Sequence, residues 1–140
     1  MQLGFHAYRF DLLMAGSPHP PSTFGQRVIV GVGDAASSNN GNVTLSTYGL
    51  GSCVGVVAYD SDVGAGGMLH LMLPHSSIAP AKALTQPAMF ADTGLPLFFA
   101  ALQGLKMNLD RLRLVLVGGA SVLSGKDAFK IGERNLEAIT

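Results

Sequence analysis

The amino-acid sequence predicts one α+β domain, and three observations carry that reading. Between Arg27 and Leu73, apolar runs rich in β-branched residues alternate with turn residues, the signature of strands joined by short connections. Further on, Leu95, Phe98, Phe99, Leu102 and Leu105 recur at helical spacing, which gives one apolar helix face. The whole chain has 140 residues, 48% apolar and 13% charged, enough for one modest core and too apolar for a disordered chain.

Residues 1–26 read as an N-terminal extension of unassigned role. Ser17-Pro18-His19-Pro20-Pro21-Ser22 is a loop or extended linker, because proline fixes φ and removes a donor. The domain then occupies residues 27–140. Arg27 to Gly33 reads as a buried strand. The following Gly31-Val32-Gly33-Asp34-Ala35-Ala36 matches the G-x-G-x-x-A dinucleotide pattern, but Ser37-Ser38-Asn39-Asn40-Gly41-Asn42 comes next. That is turn chemistry where the motif needs a helix, so a strand end running into a loop is the better reading.

Val43 to Tyr48 is a second strand. Cys53 to Tyr59 and Gly66 to Leu73 are a third and a fourth, joined by the turn Asp60 to Ala65 into a β-hairpin. A two-residue turn at Ser61-Asp62 would set Cys53 opposite His70; a longer turn or a bulge would shift that register. Pro80 to Pro87 reads as irregular. A helix begins near Asp92 or Thr93, either an N-cap, with Pro96 in its first turn. Arg111 to Val117 alternates, with Leu112, Leu114 and Leu116 on one side and the arginines on the other, a strand with one wetter face. Gly118-Gly119-Ala120 ends it with positive φ or a close backbone approach, and a last helix starts near Ile131.

Formal net charge is zero, which leaves no basic surplus to hold a phosphate backbone and argues against a nucleic-acid partner. The start lacks a basic head followed by an unbroken apolar run, so no signal peptide is expected. No apolar stretch approaches the roughly 20 residues of a bilayer span. Direct membrane insertion is therefore not expected, and one cysteine points to a free thiol in a reducing cytoplasm.

That cysteine, Cys53, is the focus. Alone, a free cysteine is commonly a small buried hydrophobe and a lone histidine a satisfied core residue. The setting argues otherwise. Gly49, Gly51 and Gly55 bare the backbone around the thiol, so amide N–H groups near Ser52 and Gly51 are placed to hold an oxyanion. Gly66 and Gly67 thin the facing strand. An imidazolium at His70 would lower the thiol pKa and quicken its alkylation, and a third group would orient the ring, with Thr47, Ser52 or a backbone carbonyl as candidates. Asp60 and Asp62 sit at the wrong end of the hairpin. Cys53, His70 and His75 are too few and too oddly spaced for a structural zinc cluster, so neither metal nor cofactor is expected.

The string Thr47-Tyr48-Gly49-Leu50-Gly51-Ser52-Cys53-Val54-Gly55, continuing to Asp60 and followed by Gly66-Gly67-Met68-Leu69-His70 to Pro74, resembles the CheD family of chemoreceptor glutamine deamidases. Val28 to Asp34, Asp92 to Pro96, Gly118-Gly119-Ala120 and Ile131-Gly132-Glu133-Arg134-Asn135 resemble further family segments. The resemblance implies an α/β layered sandwich with a mostly antiparallel sheet and helices packed on it. It implies an enzyme that converts glutamines in the cytoplasmic helices of methyl-accepting chemotaxis receptors to glutamate. Cys53 would be the nucleophile, His70 the general acid/base and Thr47 the supporting third residue. A CheC-type phosphatase is a further partner the family implies. Family members usually run on past Asn135 through more sheet, so a truncated C-terminus with an open sheet edge is expected. Two other readings remain: an adaptor that binds the phosphatase or receptor with little catalysis, and a related cysteine acyl-transfer enzyme with an amine in place of water.

Overall fold

The computed structural model of the chain describes residues 5–7, 25–120 and 130–140. Among these, seven strands and three α-helices follow one another: β1 (Phe5–Ala7), β2 (Gln26–Ile29), β3 (Ala35–Ser38), β4 (Val43–Ser46), β5 (Val54–Asp60), β6 (Ala65–Leu71), α1 (Pro80–Thr85), α2 (Ala91–Gly104), β7 (Arg113–Gly118) and α3 (Ile131–Ile139). Five strands form one sheet in the order β1-β3-β6-β5-β7, and β2 and β4 form a separate pair. Every pairing in the large sheet is antiparallel, whereas β2 and β4 run parallel. The predicted α+β class with a mostly antiparallel sheet is therefore what the chain forms.

The hairpin β5–β6 is the centre. Alternation divides its residues between two faces. On one face Val54, Val56 and Ala58 pair with Leu71, Leu69 and Gly67, all of them buried. Helix α2 lies on this face, with Phe98 and Leu102 inward. A Cβ built on Gly67 would lie 2.5 Å from a Leu102 methyl and 2.9 Å from the Phe98 ring. The bare strand at Gly67 thus makes room for the helix, not for the thiol. On the other face Gly55 pairs with His70 and Val57 with Met68, and β4 covers part of it: Val43 and Leu45 share a cleft with Val57 and Met68.

Four residues, Ser61 to Gly64, join the hairpin, since Asp60 pairs with Ala65. The two-residue turn therefore does not form, and the register moves by two: Gly55, not Cys53, stands opposite His70. The opening strand differs as well. Only Gln26–Ile29 is extended, and it is mostly exposed; the buried residues of the predicted strand are Val30 and Gly33, beyond it. The segment read as a loop holds a sheet strand, β3, whose four residues are all buried. Within the stretch read as irregular, Pro80–Thr85 forms α1, with Pro80 in the first turn, where a missing N–H costs nothing. Helix α2 starts at Ala91 with Phe90 at its N-cap, so Pro96 lies inside it. Asp92 instead accepts hydrogen bonds from the Ser76 N–H and hydroxyl at 2.9 and 2.8 Å.

Strand β7 begins two residues late because Arg111 is occupied elsewhere. Its Nε donates to the buried Asp60 carboxylate at 2.9 Å and lies 3.3 Å from Asp62. The Asn108 N–H also donates to Asp60 at 2.9 Å. These bonds, the Arg111 guanidinium first, lower the Asp60 pKa to about 2 against the opposing effect of burial. Of the predicted apolar face, Leu112 is partly buried against the core, whereas Leu114 is 51% and Leu116 37% exposed, and Val115 and Val117 on the other side are equally open. Among the described residues β7 has a sheet neighbour on one edge, β5, and alternation alone does not bury it. Among the described residues, no helix is long and apolar enough to cross a membrane.

Candidate active site

His70 sits near the end of β6, fully buried on the face away from α2. Its backbone is held on both sides: its N–H donates to the Asp34 carbonyl at 3.0 Å and its carbonyl accepts from Gly33 at 2.8 Å. Its ring is held by Thr47, whose Oγ1 lies 2.8 Å from Nδ1 and 2.7 Å from the Val30 carbonyl oxygen. A carbonyl oxygen has no proton to give, so the Thr47 hydroxyl donates to Val30. Its oxygen is then left to accept from Nδ1–H. That assigns the tautomer: the proton is on Nδ1, and Nε2 carries the free lone pair. Nε2 is buried and has no hydrogen-bond partner among the described residues.

The residue opposite His70 is glycine; a Cβ at Gly55 would lie in ordinary van der Waals contact with Leu50 at 3.4 Å and the Thr47 methyl at 3.8 Å.

Cys53 lies in the loop that enters β5 and is partly exposed. It precedes β5 by one residue, and the next residue, Val54, pairs with Leu71, the neighbour of His70. The electrostatics differ from the expected thiolate–imidazolium pair. Burial raises the Cys53 thiol pKa, against a smaller lowering by its own backbone N–H. Burial also lowers the His70 pKa, against the opposing Val30 carbonyl and Asp34 charge. Both directions favour a neutral thiol beside a neutral imidazole, since a low-dielectric site disfavours each charged form. An imidazole in that state is a base waiting for a proton rather than a cation holding a thiolate.

Three of the loop's carbonyls are committed. Those of Gly51 and Cys53 accept from the Ala120 and Gly119 N–H groups at 2.9 and 2.8 Å. That of Ser52 accepts from the Asn135 side-chain amide at 3.0 Å. In a trans planar peptide the C=O of one residue and the N–H of the next point in opposite directions. Pinning the Gly51 and Ser52 carbonyls therefore turns the Ser52 and Cys53 N–H groups away from the Gly119–Asn135 side. Gly118 makes the approach possible: its φ is +99°, and a Cβ there would overlap the Cys53 carbonyl oxygen. Sequence reasoning anticipated a close approach at Gly118–Ala120 but gave Asn135 no role. Its signal was a polar residue on the inward side of an amphipathic helix. Among the described residues, no group of three or more His, Cys, Asp or Glu side chains is arranged to hold a metal ion.

A family model described as CheD chemotactic sensory transduction matches residues 72–140. The chain is 47% identical over 109 residues to a protein of Syntrophus aciditrophicus named "Probable chemoreceptor glutamine deamidase CheD 1", spanning 78% of this chain and 68% of that one. A similarly named protein of Solibacter usitatus is 43% identical over 114 residues, 81% of this chain and 68% of that one. Another, from Anaeromyxobacter dehalogenans, is 42% identical over 112 residues, 80% and 70% respectively. With two thirds of such relatives matched at this identity, the chain belongs to the CheD family.

Proposed function

We propose that the chain is a protein-glutamine deamidase that converts glutamines of chemotaxis receptors to glutamate. The observation that carries the reading is the Thr47–His70 contact. It leaves Nε2 bare on the strand next to Cys53, in a chain whose relatives are named chemoreceptor glutamine deamidases. Residues 27–140 form the catalytic domain of this proposal, and residues 1–26 an extension.

The chemistry follows from the neutral pair. Nε2 takes the thiol proton as the sulfur adds to the carboxamide carbon, so thiolate forms only as it is consumed. The carbonyl oxygen becomes an oxyanion, which the Ser52 and Cys53 N–H groups, beside Gly51, are oriented to receive. Nε2 then passes its proton to the departing nitrogen, the C–N bond breaks, and ammonia leaves a thioester on Cys53. Water, deprotonated by the same nitrogen, adds to the thioester carbon; the C–S bond breaks and glutamate is released with the thiol restored. Each turnover consumes one amide and one water and yields one carboxylate and one ammonium, the acid's proton passing to the ammonia in water. Thr47 holds the ring throughout, because its oxygen accepts from Nδ1–H in both the neutral and the charged imidazole. No metal or cofactor enters these steps. The substrate in this reading is the cytoplasmic helical region of methyl-accepting receptors, the location is the cytoplasm, and a CheC-type phosphatase is a second partner.

The test is mass spectrometry of a receptor cytoplasmic fragment incubated with the protein. The expected result is the mass gain of an amide-to-acid exchange at particular glutamines, absent with Cys53→Ala. A wild-type protein that leaves the fragment unchanged while binding it tightly would replace the enzyme with an adaptor. Incorporation of an added amine in place of water would make it an acyl transferase.

A further inference from the structure

Asn135 is fully buried on α3, yet it belongs to neither member of the Cys53–His70 pair. Its Nδ2 donates to the Ser52 carbonyl at 3.0 Å and to the Met72 carbonyl at 2.9 Å. Ser52 immediately precedes Cys53; Met72 is two residues past His70. The amide orientation follows from its neighbours, since two carbonyl oxygens can be met only by the NH2 end. Both hydrogens are therefore spent, one on the loop that bears the sulfur and one on the strand that bears the base. The other end of the amide, Oδ1, is buried without a partner among the described residues.

We infer that Asn135 is a positioning residue of the reaction: its amide sets the Ser52–Cys53 peptide plane so that the Cys53 N–H faces the developing oxyanion, and it fixes that loop against the His70 strand. The inference rests on the deamidase reading above and adds a part to it. Its geometry is specific. A hydroxyl offers one donor in place of two, and a carboxylate offers none and sets a charge against two carbonyl oxygens. Helix α3 is brought close enough by Gly132, where a Cβ would lie 2.5 Å from the Gly119 carbonyl oxygen. The same backbone segment thus ties the Cys53 carbonyl through Gly119 and receives the helix that ties the Ser52 carbonyl.

The experiment separates oxyanion placement from general loosening. Deamidation builds negative charge on a carbonyl oxygen; alkylation of Cys53 by iodoacetamide displaces iodide at a saturated carbon and builds none. For Asn135→Ala, kcat on the receptor fragment is expected to fall roughly 100-fold, as for a misplacement of about 1 Å. KM and the Cys53 alkylation rate should stay within about threefold of wild type, because uniform binding and thiol access are untouched. Where Asn135→Ala does not fold, Asn135→Ser, which keeps one donor in the same space, carries the test with a smaller expected loss. A folded variant with unchanged kcat overturns the inference. So does a fall in kcat matched by an equal fall in alkylation, which would mark Asn135 as packing only. An inactive wild type overturns the underlying deamidase reading instead, and it shows before any variant is compared.

Discussion

Thr47→Val tests the least replaceable contact of the proposed mechanism. Valine keeps the shape and the methyl that packs near Gly55 and removes only the hydroxyl. Two short hydrogen bonds go with it, at 2.7 Å to Val30 and 2.8 Å to Nδ1. The imidazole is fully buried, so water cannot replace the lost acceptor. The Val30 carbonyl also acts on the ring and is the acceptor toward which Nδ1–H would turn. The buried N–H is thus left unsatisfied or the base is displaced, at a cost of about 2 kcal/mol. When the loss falls on the transition state, kcat/KM drops roughly 30-fold. The assay is the mass gain of the receptor fragment at several substrate concentrations, for wild type, Thr47→Val and Thr47→Ser. Serine retains the hydroxyl and should stay within about threefold of wild type. Where the cost falls on the folded state, melting should drop by about 5–10 °C for a chain of this size, so the assay is run well below that midpoint with the valine variant folded. Thr47→Val with wild-type kcat/KM would refute the tautomer argument, since the ring would then be held without the hydroxyl.

Three further outcomes are expected. Burial holds the His70 pKa below its ordinary value, so the unfolded chain binds more protons than the folded one on acidification below about 6.5. Stability from this group is complete at higher pH and is lost as pH falls from there toward the depressed folded value. Urea midpoints should drop over that window, and His70→Gln should flatten the drop. Asp60 has the usual carboxylate sign, with a folded pKa of about 2 against 3.8. Its contribution is present above the unfolded value and is lost as pH falls toward the folded one, so Asp60→Asn should remove that part of the acid-denaturation curve and lower stability at neutral pH. Gly118→Ala places a Cβ on the Cys53 carbonyl oxygen at a φ of +99°; it should cut activity more steeply than stability, and equal activity in a folded variant would show that the loop does not need this contact.

The parts of the fold legible in the sequence are those where side chains decide the backbone. The hairpin β5–β6 and the helix α2 are covered on the face they share, so apolar periodicity records their burial directly. Strand β3 is different. Ala35-Ala36-Ser37-Ser38 has no β-branched residue, and its neighbours Asn39 and Asn40 are turn formers. It is extended because β6 and β1 offer ladder hydrogen bonds on both edges, and small residues fit a strand so enclosed. That is tertiary context overriding propensity. The hairpin register was beyond reach for a related reason. Both Ser61-Asp62 and a four-residue connection suit the turn, and the choice is made by Asp60, which stays in the strand because Arg111 and Asn108 hold its buried carboxylate from 51 and 48 residues away.

The candidate site divides along the same line. Cys53 and His70 stand out in the sequence because thiol and imidazole chemistry is confined to those residue types; Thr47 is one hydroxyl among several there, and only the family resemblance singles it out. The protonation of the pair was not legible, because it depends on burial, which a single sequence does not display. A pair read as thiolate and imidazolium becomes a neutral pair once desolvation acts on both groups, and the expected ease of alkylation reverses: Cys53 should react more slowly than a free cysteine near neutral pH. The support of the site was the least legible. It consists of three backbone carbonyls, at Gly51, Ser52 and Cys53, held by two backbone amides and one side-chain amide. Every residue has a carbonyl, so none of those contacts leaves a mark at the residue that accepts. The mark is at the donors: glycines where two chains nearly touch, and one asparagine inside a helix face that would otherwise be apolar. A buried amide on an amphipathic helix next to a glycine pair is thus a sequence clue to a braced loop elsewhere in the chain.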